Sequence, residues 1–304
     1  MPPRAKPKIL HSVPTSVTGA ILTIEEESNG LRVMYLDGHE QSEVRVKKAT
    51  GELSVAQPLE LVQLMSLMSL SWLARGSAAV SDAPTVLLIG IGGGSIARVL
   101  EANLPERGTV HSIDLEPEVV QAAIDYFGLP VTERCTSAAA DGAVFMRDHR
   151  KKVADKTAAG FDVLLLDAFT KDGLASSTQR QATLDDAAAC LSARGLLLVN
   201  LHTGDHDDPD YYVAKRVLRA LCTRFDSVYS ALCGSTQNLI AVCHQGDFLD
   251  ADAWEARLEA ELAKPGVRAA CVGFQLAATM DRFNFEGGKA QPMADEPGVG
   301  ELPN

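Results

Sequence analysis

Positive charge is scarce in this chain: 28 Lys and Arg stand against 40 Asp and Glu over 304 residues, a formal net charge of -12 at pH 7. A protein built for nucleic acid needs a basic stripe to meet the phosphate backbone, so no nucleic-acid partner is expected. Closely spaced cysteines are missing as well. Cys135, Cys190, Cys222, Cys233, Cys243 and Cys271 never come within the two-residue spacing of a zinc knuckle or a redox pair. Buried, reduced thiols in a cytoplasmic protein are the natural reading. Long apolar runs are absent too. The most apolar stretch, Leu59–Leu73, is interrupted by Glu60 and Gln63 and is too short for a bilayer. No apolar segment of signal-peptide type follows the Pro-rich Met1–Lys8, so neither a membrane nor export is expected. What is present is 46% hydrophobic residues, enough for one full-sized core with a small appendage.

Turn residues and apolar runs divide that core. Ile21–Ile24 and Leu31–Leu36 are punctuated by Asn29-Gly30 and Asp37-Gly38, pairs that favour tight hairpins. Residues 17–56 therefore read as an N-terminal β-hairpin unit, and residues 1–16 as a disordered tail. From Pro84 onward, buried-strand runs at Val86–Ile89, Val110–Ile113, Val163–Leu166 and Leu196–Val199 alternate with helical patterns. That alternation predicts an α/β, doubly wound Rossmann-like domain over 57–285 with a seven-stranded sheet. The Gly-, Pro- and acid-rich segment 286–304 reads as a second disordered tail.

The strongest local signal is Ile89-Gly90-Ile91-Gly92-Gly93-Gly94-Ser95, set between a buried strand and a helix. Glycines there let the chain turn sharply and let a ligand lie against bare backbone at a helix N-terminus. The spacing Gly90, Gly92, Gly94 is the tighter form common in S-adenosyl sites; a dinucleotide fingerprint needs glycine where Ser95 stands. A dinucleotide site stays the lesser alternative. Asp114, 24 residues after Gly90, ends the second strand, where a carboxylate can accept both ribose hydroxyls. Asp141-Gly142 after the third strand can meet an adenine amino group, or Asp141 can simply cap the next helix. Asp167 ends the fourth strand at the ligand crevice and is the candidate to hold or deprotonate an ammonium nucleophile. The loop Asn200–Asp210, with its His and Asp residues, reads as an acidic rim for a cationic substrate rather than a metal site.

In order along the chain, Val86–Ser95, Asp114–Val120 running to Asp125-Tyr126-Phe127-Gly128, Ala140-Asp141-Gly142, the strand ending at Asp167, and Gly195–Asn200 resemble the spermidine-synthase-like branch of class I S-adenosylmethionine-dependent transferases. Tyr35–Ser42 resembles the hairpin that precedes the catalytic domain there. The resemblance implies S-adenosyl-L-methionine as cofactor, held by Gly90, Gly92, Gly94, Asp114, Asp141 and Gly142, with Gln41 reaching it from the hairpin. It implies Asp167 as the proton acceptor, and it allows a homodimer. Aminopropyltransferases of this branch carry an Asp in the glycine loop, where this chain has Gly93. They carry a second acid three residues after the catalytic one, where it has Thr170, and a Tyr-Gln/His-Glu segment where it has Pro58-Leu59-Glu60. Each lost charged hydrogen bond costs about 1.5–3 kcal/mol. In the glycine loop, Tyr126-Phe127-Gly128, Lys171-Asp172 and Asn200-Leu201, the chain is more similar to the C-terminal domain of elongation factor 1-alpha methyltransferases. A methyltransferase acting on an amine-bearing acceptor, such as a protein lysine or N-terminus, is therefore expected. The alternatives are an aminopropyltransferase and a non-catalytic binding protein of the same fold.

Overall fold

The computed structural model describes residues 6–74, 82–170, 173–174, 180–205, 207–234, 236–246, 248–293 and 299–302. Four strands, β1 (Lys8–Pro14), β2 (Ile21–Glu26), β3 (Leu31–Leu36) and β4 (His39–Arg45), form an antiparallel N-terminal sheet in sequential order. Alternation along β2 to β4 turns Leu22, Ile24, Met34 and Val44 inward, each fully buried. They pack against Val119, Ala122 and Phe127 of the helix α3 (Pro117–Phe127). The segment expected to be a disordered tail over 1–16 instead contributes β1. Without a turn signal of its own, it is recruited as an edge strand by pairing with β2 from Lys8 to Pro14.

The helix α1 (Glu60–Leu73) follows, with every residue from Val62 to Leu73 buried. Its polar side chains are accommodated locally: Ser69 and Ser71 donate back to the Met65 and Met68 carbonyls, and Gln63 donates to Gln57 O. The main domain then runs β5 (Thr85–Ile89), α2 (Ser95–Asn103), β6 (Thr109–Asp114), α3, β7 (Cys135–Ala139), α4 (Gly142–Ala154), β8 (Phe161–Leu166), the short pair β9 (Phe169–Thr170) and β10 (Gly173–Leu174), α5 (Gln181–Ala189), β11 (Leu191–His202), α6 (Pro209–Cys222), β12 (Ser227–Leu232), β13 (Asn238–His244), α7 (Ala251–Leu262), α8 (Pro265–Ala270), α9 (Leu276–Met280) and β14 (Phe283–Gly287).

The sheet order is β14-β12-β13-β11-β8-β5-β6-β7, with β11, β8, β5, β6 and β7 parallel. It is eight-stranded, one more than expected, because β14 adds antiparallel to β12 at the far edge. Even-numbered core positions of β5, such as Val86 and Leu88, join α1, α2 and α7 in one apolar layer, while Leu87 and Ile89 face α4, α5 and α6 in the other. The C-terminal segment also departs from the expected disordered tail. Glu286 and Gly287 belong to β14, Met293 and Leu302 pack on the second layer, and Arg219 Nη1 donates to Val299 O at 2.8 Å. Gly287 pairs with Val228 near the start of β12, and just beyond it Lys289 N donates to Phe225 O, which holds the following segment against the domain. All six cysteines are free and buried, and burial pushes the Cys135 thiol up to about 11 and that of Cys190 to about 12. Among the described residues no helix is long and apolar enough to cross a membrane.

Candidate active site

The carboxyl ends of the parallel strands β5, β6, β8 and β11 lie side by side along one edge of the sheet. Gly90 leaves β5 with φ +91, and a Cβ there would lie 2.2 Å from Asp167 O, so the glycine lets two strand ends touch. Gly92 and Gly94 also have positive φ, and Gly94 is the N-cap of α2. On Gly93 a Cβ would meet Ser42 Oγ at 2.6 Å and Phe127 Cδ1 at 2.9 Å. The N-terminal sheet thus rests directly on the glycine loop. Gln41 arrives there by its backbone oxygen, which lies 3.4 Å from where a Gly92 Cβ would be; its side-chain amide donates back to His39 O and Glu40 O.

Asp114 ends β6 beside this loop. Its Oδ2 accepts the Ile91 N–H at 2.8 Å and its Oδ1 the Glu116 N–H at 3.1 Å. Burial nevertheless raises its pKa, against those hydrogen bonds. Asp167, one residue beyond β8, is pushed up to about 7, chiefly by burial and further by the charge of Asp114, although Asn200 works in the opposite direction. Asn200 Nδ2 donates to Asp167 Oδ1 at 2.7 Å, and Asn238 Nδ2 donates in turn to Asn200 Oδ1 at 2.9 Å. Two acids thus stand close together beside the glycine loop, each disfavoured as an anion.

Asp141 caps α4, accepting from Ala143 N and Val144 N through Oδ1, and remains exposed. Gly142 is required for packing, since a Cβ would lie 2.4 Å from Ile89 Cγ2. Within the acidic loop, Asp208 caps α6 and Asp210 Oδ2 meets His202 Nδ1 at 2.8 Å. His206 and the Lys171-Asp172 pair lie outside the described residues.

Sequence reasoning missed the partnerships that organise this region. Asn200 was visible only as part of a motif, and Asn238 and the His202–Asp210 pair were not visible as partners. Glu116 was missed too. Buried beside Asp114, it accepts Val17 N, Thr18 N and the Thr15 and Thr18 hydroxyls, and so ties the N-terminal unit to the domain that carries the glycine loop.

No family model matches the chain. It is similar in sequence to the polyamine aminopropyltransferase of Neisseria meningitidis, 28% identical over 156 residues covering 51% of this chain and 55% of the relative. It is also 27% identical over 165 residues to the eEF1A lysine and N-terminal methyltransferase of Danio rerio, covering 52% of this chain but 22% of that protein. The chain therefore spans about half the length of the aminopropyltransferases it matches. Among solved structures, a probable spermidine synthase from Corynebacterium glutamicum superposes with a TM-score of 0.65 at 14% identity, over 98% of this chain and 100% of the other. Human methyltransferase-like protein 13 in complex with SAH superposes with a TM-score of 0.57 at 19% identity, over 67% of this chain and 92% of the other. The fold is that of the spermidine-synthase-like transferases. In sequence, the chain is similar to an aminopropyltransferase and to a lysine and N-terminal methyltransferase alike.

Proposed function

We propose that the protein is an S-adenosyl-L-methionine-dependent methyltransferase acting on an amine-bearing acceptor, a protein lysine or N-terminus. The observation that carries this reading is the pair Asp114 and Asp167 beside the glycine loop, each held above its ordinary pKa by burial. A sulfonium cofactor and a cationic amine both relieve such a site, whereas the pyrophosphate of a dinucleotide would add negative charge to it. Bound there, the cofactor supplies an electrophilic methyl group on sulfur. Gly90, Gly92 and Gly94 give it bare backbone, Asp114 its ribose contact, and Asp141 and Gly142 the adenine end, with Gln41 closing from the hairpin. Asp167, steadied by Asn200, holds the acceptor nitrogen in line, and orientation supplies much of the rate gain.

Methyl rather than aminopropyl transfer is favoured by the acids this chain lacks at Gly93 and Thr170. The acid it keeps at that end, Glu60, pairs with Arg282 at 3.0 Å and is already neutralised. A cytoplasmic location and a homodimer complete the reading. Native mass spectrometry of the purified protein tests it: copurifying S-adenosylmethionine or its demethylated product supports it. Spermidine formed from putrescine and decarboxylated cofactor would establish the aminopropyltransferase instead. Cofactor binding without turnover on any amine would establish the non-catalytic protein.

A further inference from the structure

Asp167 is poorly placed to take a proton and pass it on. One of its oxygens is occupied by Asn200, and burial already disfavours its charged form. Two residues beyond Asn200 on β11, about 7 Å along an extended strand, lies a histidine with the opposite properties. His202 is the last residue of β11 and stands opposite Asn238 in the β11–β13 register. Asn238 in turn is hydrogen-bonded to Asn200, so His202 adjoins the relay that holds Asp167. Its Nδ1 is 2.8 Å from Asp210 Oδ2, and the side chains of both residues are 35% exposed. Asp210 is fixed in turn, because its backbone N–H donates to the α6 cap Asp208 at 2.9 Å. A carboxylate acceptor puts the proton on Nδ1 and leaves Nε2 as a free lone pair. Among the described residues no protein group is bonded to Nε2.

We infer that the His202–Asp210 pair is the proton acceptor for the amine substrate, while Asp167 holds the nitrogen without deprotonating it. This rests on the methyl-transfer reading above. The acceptor arrives as R–NH3+. One N–H bond breaks, and the proton moves to His202 Nε2, directly or through one water, leaving the electron pair on nitrogen. That pair forms the bond to the methyl carbon as the carbon–sulfur bond breaks towards sulfur. The products are R–NH2+–CH3, the neutral thioether and an imidazolium stabilised by Asp210. The two positive charges at the start are two at the end, and the exposed imidazolium returns its proton to solvent.

The test uses the full chain, with tritiated S-adenosylmethionine and poly-L-lysine as the acceptor probe. His202→Ala and His202→Gln should both bind cofactor by calorimetry within about twofold of wild type and lose kcat by about 100-fold or more, with KM little changed. The Gln variant can still donate to Asp210 and so controls for misfolding. Added imidazole should restore at least part of the His202→Ala rate. A kcat within a few-fold of wild type in both variants overturns the assignment, and so does a loss that imidazole leaves untouched, which would make His202 structural. No transfer by the wild-type protein would overturn the methyl-transfer reading together with this one, a result distinct from either.

Discussion

Asn200 donates its side-chain amide to Asp167 at 2.7 Å, and this bond alone among the causes acting on that carboxyl favours its charged form. Burial and the neighbouring Asp114 act the other way. In Asn200→Ala the carboxyl should therefore stay protonated to higher pH. The acid limb of the kcat/KM profile for methyl transfer should move up by roughly one pH unit. An unmoved limb would show that Asp167 does not carry it.

The same imbalance has a signature in stability. A carboxyl whose folded-state pKa is raised lets the native state bind the extra proton, so stability falls as pH rises from the unfolded-state value towards about 7, and the penalty is complete above that. Asp167→Asn removes it. At pH 8 the variant should be more stable than wild type by roughly 2–4 kcal/mol, and the gain should shrink as pH falls below 7 and vanish near pH 3. Denaturant titrations at these pH values measure it, and a gain independent of pH would contradict the assignment.

Asp114 serves the loop and, in the proposed function, the ribose. Asp114→Asn keeps the shape of the side chain and removes its charge. Its affinity for S-adenosylmethionine should fall roughly 10- to 100-fold in calorimetry, the worth of a charge-assisted hydrogen bond. Unaltered affinity would move the ribose contact elsewhere.

Two glycines of positive φ separate backbone strain from steric contact. Gly38 (φ +79) has nothing within 4 Å of a built Cβ, whereas that of Gly90 falls 2.2 Å from Asp167 O. Gly38→Ala should cost about 1 kcal/mol. Gly90→Ala should cost several times more and, by displacing Asp167, should depress turnover even in molecules that remain folded.

Glu116 joins two units through acceptors alone. Removing it in Glu116→Ala leaves the Val17 and Thr18 N–H groups without partners, a loss of roughly 2–4 kcal/mol. Hydrogen exchange should quicken first at these two amides, and uniform exchange across the chain would argue against a local tether.

The strands and the two acids at their ends were readable because a parallel sheet buries both faces and writes itself as continuous apolar runs. Asp114 and Asp167 stand where those runs stop. The glycine loop was readable for the same reason, between Ile89 and Ser95. Glu116 was not, because its partners Thr15 to Thr18 lie about a hundred residues earlier and nothing local marks the pairing. Nor was β1, whose strand character comes from β2, or β14, which is defined by its pairing with β12. Asn200 and Asn238 are neighbours only through the β11–β13 pairing. Asp141 shows the other limit: a strand-end acid and a helix cap have the same local sequence, and the geometry found is that of the cap.

The seating of β4 on the glycine loop makes the two sheets depend on one residue without a side chain. Position 93 has no room for a side chain while Ser42 and Phe127 stand where they do. A side chain at 93 thus requires movement on two sides at once, from Ser42 in β4 and from Phe127 at the end of α3.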